Sequence, residues 1–175
     1  MRHLLVALFL TTGCAKSEAP PPTEPLTPGM AAPEIDATAH DGTHIKLSEL
    51  RGKPVVLYFY PKDDTPGCTI EAQAFRDSLA EFKAVGAVIV GVSTQDNTSH
   101  QAFADKYDLT FPLLPDTDKK IATAYGVDAS KGYAKRVTFV IGPDGKIAAT
   151  FPKVQVDGHD DEVLAAVKAA VEKKS

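Results

Sequence analysis

The chain has 175 residues, 43% of them hydrophobic, and a formal net charge of −4 at neutral pH. This length suits one compact α/β domain with short additions. No apolar run reaches the roughly 18 residues of an ordinary membrane-spanning helix, and no basic patch rich in aromatic residues indicates a nucleic-acid partner.

The N-terminus is typical of an export and anchoring signal. A short charged start precedes the apolar stretch Leu4–Leu10, which is too short to span a bilayer, and Thr11-Thr12-Gly13-Cys14 follows it. This pattern resembles bacterial lipoprotein signals, in which cleavage before the cysteine is coupled to its lipidation. It predicts a signal peptide over residues 1–13 and a lipid on Cys14 that holds the protein at a bacterial membrane, facing the periplasm. Ala15 favours the outer membrane, and a plain secretory signal is the alternative.

Residues 15–29 predict a tether. Five of them are proline, and this composition favours an extended, semi-rigid spacer over a packed core. At ~3.1 Å per residue the segment reaches roughly 45 Å at most. Together with the lipidated Cys14, this segment (residues 14–29) would hold a domain predicted over residues 30–175 away from the membrane.

The periodicity of that domain predicts alternating strands and helices. Two short strands, 35–40 and 43–47, flank a turn signal at Asp41-Gly42. Residues 55–60 form a continuous apolar run typical of a strand buried on both faces, and residues 87–92 form a second. A long helix is predicted from Thr65 to Gly86, with Ile70, Ala74, Phe75, Leu79 and Phe82 on its buried stripe. After it come a helix capped by Asp96 or Asn97, an edge strand at 111–114 and a helix capped by Thr117 or Asp118. Strands at 136–141 and 146–151 and a last helix from about Asp160 complete the domain.

This order of elements predicts a central mixed sheet with helices on both faces and an N-terminal β-hairpin. His40 and His44 flank the hairpin turn at a spacing that a metal could use. Histidines at turns and strand edges are the more ordinary case, so we predict no metal and no other cofactor.

Cys68 lies where a buried strand leads into a helix. Pro61 ends the strand, a polar loop follows, and Thr65-Pro66 begins a helix with Thr at the N-cap and Pro at the first helical position. Cys68 then falls at about the third helical position, where unpaired N–H groups and the helix dipole stabilise an anion. Thiols at such positions ionise more readily than free ones. The sequence therefore predicts a nucleophilic sulfur, although a lone cysteine is more often buried and inert.

The residues around Cys68 resemble the active-site signature of the peroxiredoxins, in the alkyl hydroperoxide reductase/thiol-specific antioxidant superfamily. The resemblance is to the Q-type, or bacterioferritin comigratory protein, group, and it implies a thioredoxin-like fold over about residues 30–173. The matching stretches are Pro61-x-x-x-Thr65-x-x-Cys68, Tyr58-Phe-Tyr-Pro-Lys-Asp63, Thr69-x-Glu71 and Arg136-Val-Thr-Phe-Val-Ile-Gly-Pro-Asp-Gly-Lys146.

The resemblance implies a role for each matching residue. Cys68 would attack the terminal oxygen of a hydroperoxide, giving a sulfenic acid and releasing water or an alcohol. Thr65 and Arg136 would bind the peroxide and the developing charge. Pro61 would shield the sulfur from solvent, and Glu71 would orient Arg136. The chemistry agrees, because cleavage of an O–O bond needs donors aimed where charge moves, and a guanidinium supplies permanently charged ones.

The sequence departs from the group at one position. Many Q-type enzymes carry a resolving cysteine five residues after the first, where this chain has Gln73. With Cys14 lipidated, Cys68 would be the only thiol of the domain. The resemblance thus implies a one-cysteine peroxidase for hydrogen peroxide and organic hydroperoxides in antioxidant defence, whose sulfenic acid is recycled by an external thiol such as a thioredoxin-like protein or a small thiol.

Three other functions remain open. A membrane-anchored thiol–disulfide oxidoreductase of thioredoxin-like fold needs Cys-x-x-Cys, and Thr65 stands in its first place. A copper carrier on the same fold needs Cys-x-x-x-Cys, and Ala72 stands in its second place. The third is a structural lipoprotein in which Cys68 is vestigial.

Overall fold

The computed structural model describes residues 20–172 of the chain. The predicted signal peptide and the predicted lipidation site, Cys14, lie outside the described residues. Between residues 20 and 172, no helix has both the length and the apolar character needed to cross a bilayer.

An antiparallel hairpin comes before the main sheet. It consists of β1 (Asp36–Thr38) and β2 (His44–Lys46) and turns through Asp41-Gly42, as the sequence predicts. One 3-10 turn, Leu47–Leu50, then leads towards the centre of the fold.

A five-stranded mixed sheet forms the centre of the domain. Its spatial order is β5 (Leu113–Pro115), β4 (Val88–Ser93), β3 (Val55–Phe59), β6 (Val137–Ile141) and β7 (Ile147–Phe151). Strands β5, β4 and β3 are parallel to one another. Strand β6 runs antiparallel to β3, and β7 runs antiparallel to β6. All five residues of β3 are buried, as expected for a middle strand with both faces covered.

Helices cover both faces of the sheet. They are α1 (Pro66–Asp77), α2 (Leu79–Ala84), α3 (Asn97–Tyr107), α4 (Lys120–Ala124) and α5 (His159–Glu172). Successive side chains of β3 point to opposite faces. Leu57 therefore joins the core beneath α4 and the hairpin, while Tyr58 joins the core beneath the other four helices. The predicted central mixed sheet flanked by helices is confirmed.

The helix predicted to run unbroken from Thr65 to Gly86 is two helices. The break is at Ser78, whose N–H donates to the carbonyl of Ala74 and whose hydroxyl donates to Asp160 in α5. The prediction that Ile70 is buried is wrong, because this side chain is 50% exposed. Residues two positions apart on an α-helix lie on nearly opposite sides, and the side of α1 that faces the core carries Cys68, Glu71, Ala72 and Phe75.

The cap of α4 also differs from the prediction. The predicted Asp118 accepts one hydrogen bond, a long one from the N–H of Lys120 (3.3 Å). Asp116, which was not predicted, takes the next two amides, since its carboxylate accepts hydrogen bonds from the N–H groups of Ile121 (2.9 Å) and Ala122 (2.8 Å). Asp116 is only 2% exposed, and a buried carboxylate is costly unless it is hydrogen-bonded. Burial of Asp116 therefore explains why its carboxylate accepts hydrogen bonds from these two amides.

The last part of the predicted tether packs on the domain as a strap, residues 24–29. Leu26 is 5% exposed and belongs to the core. Its N–H donates to the carbonyl of Tyr125 (3.2 Å), and its carbonyl accepts from Thr150 Oγ1 (2.7 Å). The packed part of the chain therefore begins with this strap and not at Met30, and any free tether is correspondingly shorter.

A glycine in β4 makes room for an aromatic ring beneath α1. A Cβ added at Gly91 would lie 2.9 Å from Cζ of Tyr58 and 2.6 Å from Leu113, closer than side-chain carbons approach one another. The small residue therefore leaves space for the Tyr58 ring and its hydroxyl in the core beneath α1.

Candidate active site

The junction of β3 and α1 places Cys68 in the first turn of a helix. Thr65 is the N-cap, with an extended backbone (φ −101°, ψ 150°), and Pro66 is the first helical residue. Cys68 is the third helical residue and is 2% exposed. Pro61 begins the loop between the two elements and is half-buried. The helical position predicted for Cys68 is thus confirmed.

Arg136 bridges the sulfur and a buried carboxylate. Its Nη2 lies 3.1 Å from Cys68 Sγ, and its Nη1 donates to Glu71 Oε2. The guanidinium lies across the first turn of α1, since a Cβ added at Gly67 would be 3.4 Å from Nη2. Register explains this placement: Val137, the next residue, pairs with Phe59 at the end of β3, and the start of β6 therefore lies beside the start of α1.

Thr65 is oriented differently from the prediction. As an N-cap its hydroxyl was expected to accept a backbone N–H, but the structure shows no such bond from the side chain. The hydroxyl instead donates to the carbonyl of Lys62 (3.0 Å). A threonine hydroxyl has one hydrogen and two acceptor sites. With the hydrogen used by Lys62, Thr65 can meet a ligand only as an acceptor.

Glu71 is an unusual partner for Arg136 because it is almost fully buried, at 1% exposure. Burial raises the pKa of Glu71 to about 7, and the neighbouring Arg136 opposes this rise without cancelling it. Only one carboxylate oxygen is paired, and Oε1 has no partner among the described residues. The hydroxyl of Tyr58 is also buried and unpaired there. Burial and the charge of Glu71 raise the pKa of Tyr58 well above its ordinary value, so the phenol stays neutral.

A second set of residues beside the site was not predicted from the sequence. They hold the loop that runs from Pro61 to Thr65, and they come from the end of β3, from the loop itself and from α3: Tyr60, Asp63, Asp64, Ser99, His100, Lys106 and Tyr107. Two adjacent aspartates just before a helix cap were the available signal. Their partners lie some 36 to 43 positions further along the chain, a distance that periodicity does not bridge.

Comparison with known proteins identifies the family. The sequence model of the AhpC/TSA family matches residues 28–150, from before the hairpin into β7. The chain belongs to the AhpC/TSA family. The matched region contains the helix start at Thr65, the cysteine at 68 and the arginine at 136.

Relatives of this AhpC/TSA chain are peroxiredoxins of the Bcp and Q type. The chain is 43% identical over 143 residues to a putative peroxiredoxin bcp of Coxiella burnetii, a match that covers 78% of this chain and 95% of that protein. It is 41% identical over 152 residues to peroxiredoxin Bcp of Bacillus subtilis, with 83% and 97% covered. The predicted membership of the Q-type, or Bcp, peroxiredoxins is therefore confirmed, and with it the enzyme class, a thiol peroxidase.

Solved structures agree with this assignment. Peroxidoxin BcpB of Mycobacterium tuberculosis is similar with a TM-score of 0.76 and 37% identity, covering 82% of this chain and 97% of that one. Peroxiredoxin Q of Xanthomonas campestris gives a TM-score of 0.72 and 39% identity, covering 78% and 91%. Complex structures of the X. campestris bacterioferritin comigratory protein concern that protein's alkyl peroxide reduction activity. The predicted thioredoxin-like fold is confirmed.

Proposed function

We propose that this peroxiredoxin reduces hydrogen peroxide and organic hydroperoxides with Cys68 as its nucleophile. The observation that carries the proposal is the 3.1 Å contact between Cys68 Sγ and Arg136 Nη2 in the first turn of α1. A guanidinium and a helix N-terminus both stabilise a thiolate relative to a thiol. Family membership supports the reaction class, and the contact supports Cys68 as the sulfur that reacts.

In the proposed reaction the thiolate attacks the terminal oxygen of the hydroperoxide. The S–O bond forms as the O–O bond breaks, sulfur supplies the two electrons, and the leaving oxygen takes a proton and departs as water or an alcohol. Thr65 accepts a hydrogen bond from the peroxide O–H, since its own hydrogen is donated to Lys62. Arg136 donates to the oxygen on which charge grows. Glu71 orients Arg136, and Pro61 shields the sulfur from solvent.

The reductant comes from outside the chain in this proposal. Cys68 is the only free cysteine among residues 20–172, and Gln73 occupies the position of the resolving cysteine of many relatives. An external thiol attacks the sulfenic sulfur, releases water and leaves a mixed disulfide, and a second thiol then frees Cys68. A thioredoxin-like protein or a small thiol fits this chemistry, and the reaction serves antioxidant defence.

Trapping the oxidised enzyme tests the proposal. The chain without residues 1–19 is treated with one equivalent of hydrogen peroxide while a sulfenate trap is present. We expect a stoichiometric trapped adduct on Cys68 by intact mass, because no second thiol is available to form an internal disulfide. Rapid conversion to a disulfide-linked dimer would contradict the one-cysteine scheme. An unmodified protein that instead reduces a protein disulfide would favour the thiol–disulfide oxidoreductase.

We also propose that the protein is lipid-anchored through Cys14, at a bacterial membrane and facing the periplasm. The support is the apolar stretch Leu4–Leu10 followed by Thr11–Cys14, and the proline-rich residues after it.

Replacing Cys14 by Ser should move the protein from membranes into the soluble fraction of cells that express the full chain. The physical reason is that the proline-rich residues after Cys14 offer no apolar surface of their own for membrane binding. Fractionation followed by immunoblotting measures the change, with Ser17→Ala, three residues after Cys14, as the matched control. Membrane association equal to that of the wild type would contradict lipid anchoring.

A further inference from the structure

The loop between β3 and α1 is held from one side by α3. Asp63, in the middle of that loop, is only 6% exposed. Ser99 Oγ donates to Asp63 Oδ2 (2.6 Å), and Tyr60 OH donates to Asp63 Oδ1 (2.7 Å). His100 Nδ1 lies 2.9 Å from Oδ2. Three side chains thus converge on one buried carboxylate that lies two residues before Thr65.

The next residue, Asp64, is held by the other end of α3. Lys106 Nζ lies 2.8 Å from both of its carboxylate oxygens, and Tyr107 OH donates to Oδ1. Asp64 has a left-handed backbone (φ 55°). Its ion pair is exposed, and exposed pairs stabilise little. The buried contacts of Asp63 therefore provide most of the hold on the loop.

His100 has a hydrogen-bond acceptor at each ring nitrogen. Nδ1 faces the carboxylate of Asp63, and Nε2 lies 3.2 Å from the carbonyl oxygen of Leu114 in β5. A neutral imidazole carries one N–H, so one of these contacts would set a lone pair against an acceptor. The ring is completely buried, so bulk solvent does not relieve such a contact. An imidazolium donates in both directions and balances the charge of Asp63.

We propose that the His100 imidazolium, paired with Asp63, is a positioning element for the peroxide reaction of Cys68. The connection passes through Lys62, the neighbour of Asp63, whose carbonyl accepts the hydroxyl hydrogen of Thr65. If Asp63 shifts, the acceptor that orients Thr65 shifts with it. The inference rests on the proposed function, because it assigns to α3 the task of aiming a side chain that meets the peroxide.

Few charges face His100. The titratable groups around it are Asp63, from the loop, and Tyr60, the residue after β3. The hydroxyl of Tyr60 lies 3.3 Å from Nδ1 of His100. From α3, the Ser99 hydroxyl bonds to the same carboxylate as His100, and from β5 the carbonyl of Leu114 faces the ring. Burial raises the pKa of Asp63, but hydrogen bonds from His100 and Ser99 outweigh it and leave the pKa below its usual value. Burial raises the pKa of Tyr60 well above the usual value of a tyrosine. Asp63 therefore carries the negative charge that faces the ring, and Tyr60 stays neutral.

The test uses the full chain with Cys14→Ser, so that Cys68 is its only thiol. His100→Gln supplies an amide that cannot donate in both directions. We expect kcat/KM for hydrogen peroxide to fall by roughly ten- to a hundred-fold, the scale of a small misplacement in a preorganised site. Alkylation of Cys68 by iodoacetamide should keep its rate, because the contact of the sulfur with Arg136 does not pass through the loop. Gln101→Ala, at the exposed neighbouring position on α3, should change neither rate.

Ser99→Ala is the second variant, because it removes one hydrogen bond to Asp63 and keeps the imidazole. It should lower the peroxide rate several-fold, again with alkylation unchanged, and it decides the matter if His100→Gln fails to fold.

Nitrogen NMR of the imidazole ring gives a readout independent of activity. Both ring nitrogens of His100 should carry hydrogen in the folded protein, because each faces an acceptor. One bare nitrogen there would overturn the imidazolium, and equal losses in the peroxide and alkylation rates would overturn the positioning role. An active wild type with an equally active His100→Gln would overturn this inference alone. A wild type inert toward peroxide would overturn the proposed function as well.

Discussion

Replacement of Cys68 by Ser should reduce peroxide consumption to the background rate. A hydroxyl at this position stays protonated under conditions in which the thiol can form the thiolate, and the thiolate is the nucleophile. The fold should survive, because the two side chains have nearly the same shape and Arg136 still offers a donor to the buried hydroxyl. The measurement is the consumption of hydrogen peroxide in the presence of excess small thiol, with circular dichroism as the check on folding.

The matched comparison is Gln73→Ala, on the same helix at the position that the family resemblance associates with a resolving cysteine. That variant should keep the wild-type rate. Sustained turnover by a folded Cys68→Ser variant would remove the basis for the peroxidase mechanism, because the described chain offers no other free thiol.

Replacement of Arg136 by Met should lower the rate with peroxide by roughly ten- to a thousand-fold, the usual range for losing a donor from a charge-stabilising site. The guanidinium lies 3.1 Å from Cys68 Sγ, so its loss should also slow alkylation of the thiol near neutral pH. Arg136→Lys retains the charge but not the planar fork that reaches Glu71 and the sulfur together. We expect it to recover only part of the rate.

Two controls make the Arg136 result interpretable. Lys135→Met removes the adjacent positive charge, which is exposed and paired with Asp128, and should leave both rates near wild type. Arg136→Met combined with Glu71→Gln separates the loss of the donor from the burial of an unpaired carboxylate. An alkylation-versus-pH curve for Arg136→Met identical to that of the wild type would show that Arg136 does not act on the sulfur.

The position of Cys68 was predictable because its causes are local. A Thr-Pro pair at the end of an apolar strand specifies the start of a helix, and three positions later the sulfur must lie among free N–H groups. Arg136 was different. From its residue type alone it was a charge at the start of a strand, and only the family resemblance linked it to Cys68. The antiparallel register of β3 and β6 brings them together, and that register involves residues far apart in the chain.

The features that sequence reasoning missed depend on burial. Ile70 was assigned to the core because it is apolar, yet the side of α1 that faces the core is taken by Cys68 and the acidic residue Glu71. Leu26 was assigned to a tether because prolines surround it, but its side chain belongs to the buried core and its backbone is hydrogen-bonded to Tyr125 and Thr150. In each case the neighbour that decides the outcome comes from another element, and hydrophobic periodicity reports only on the element itself.

The raised pKa of Glu71 links folding to proton uptake. Its ordinary pKa is 4.5 and burial raises it to about 7, so between these values the folded chain holds a proton that the unfolded chain has released. The free energy of unfolding is therefore largest below about pH 4.5 for this group and declines until pH passes about 7. This is the reverse of the common carboxylate, which stabilises a fold more as pH rises. The same proton sets how much of the positive charge of Arg136 is neutralised by Glu71, and how much remains to attract the electrons of the sulfur.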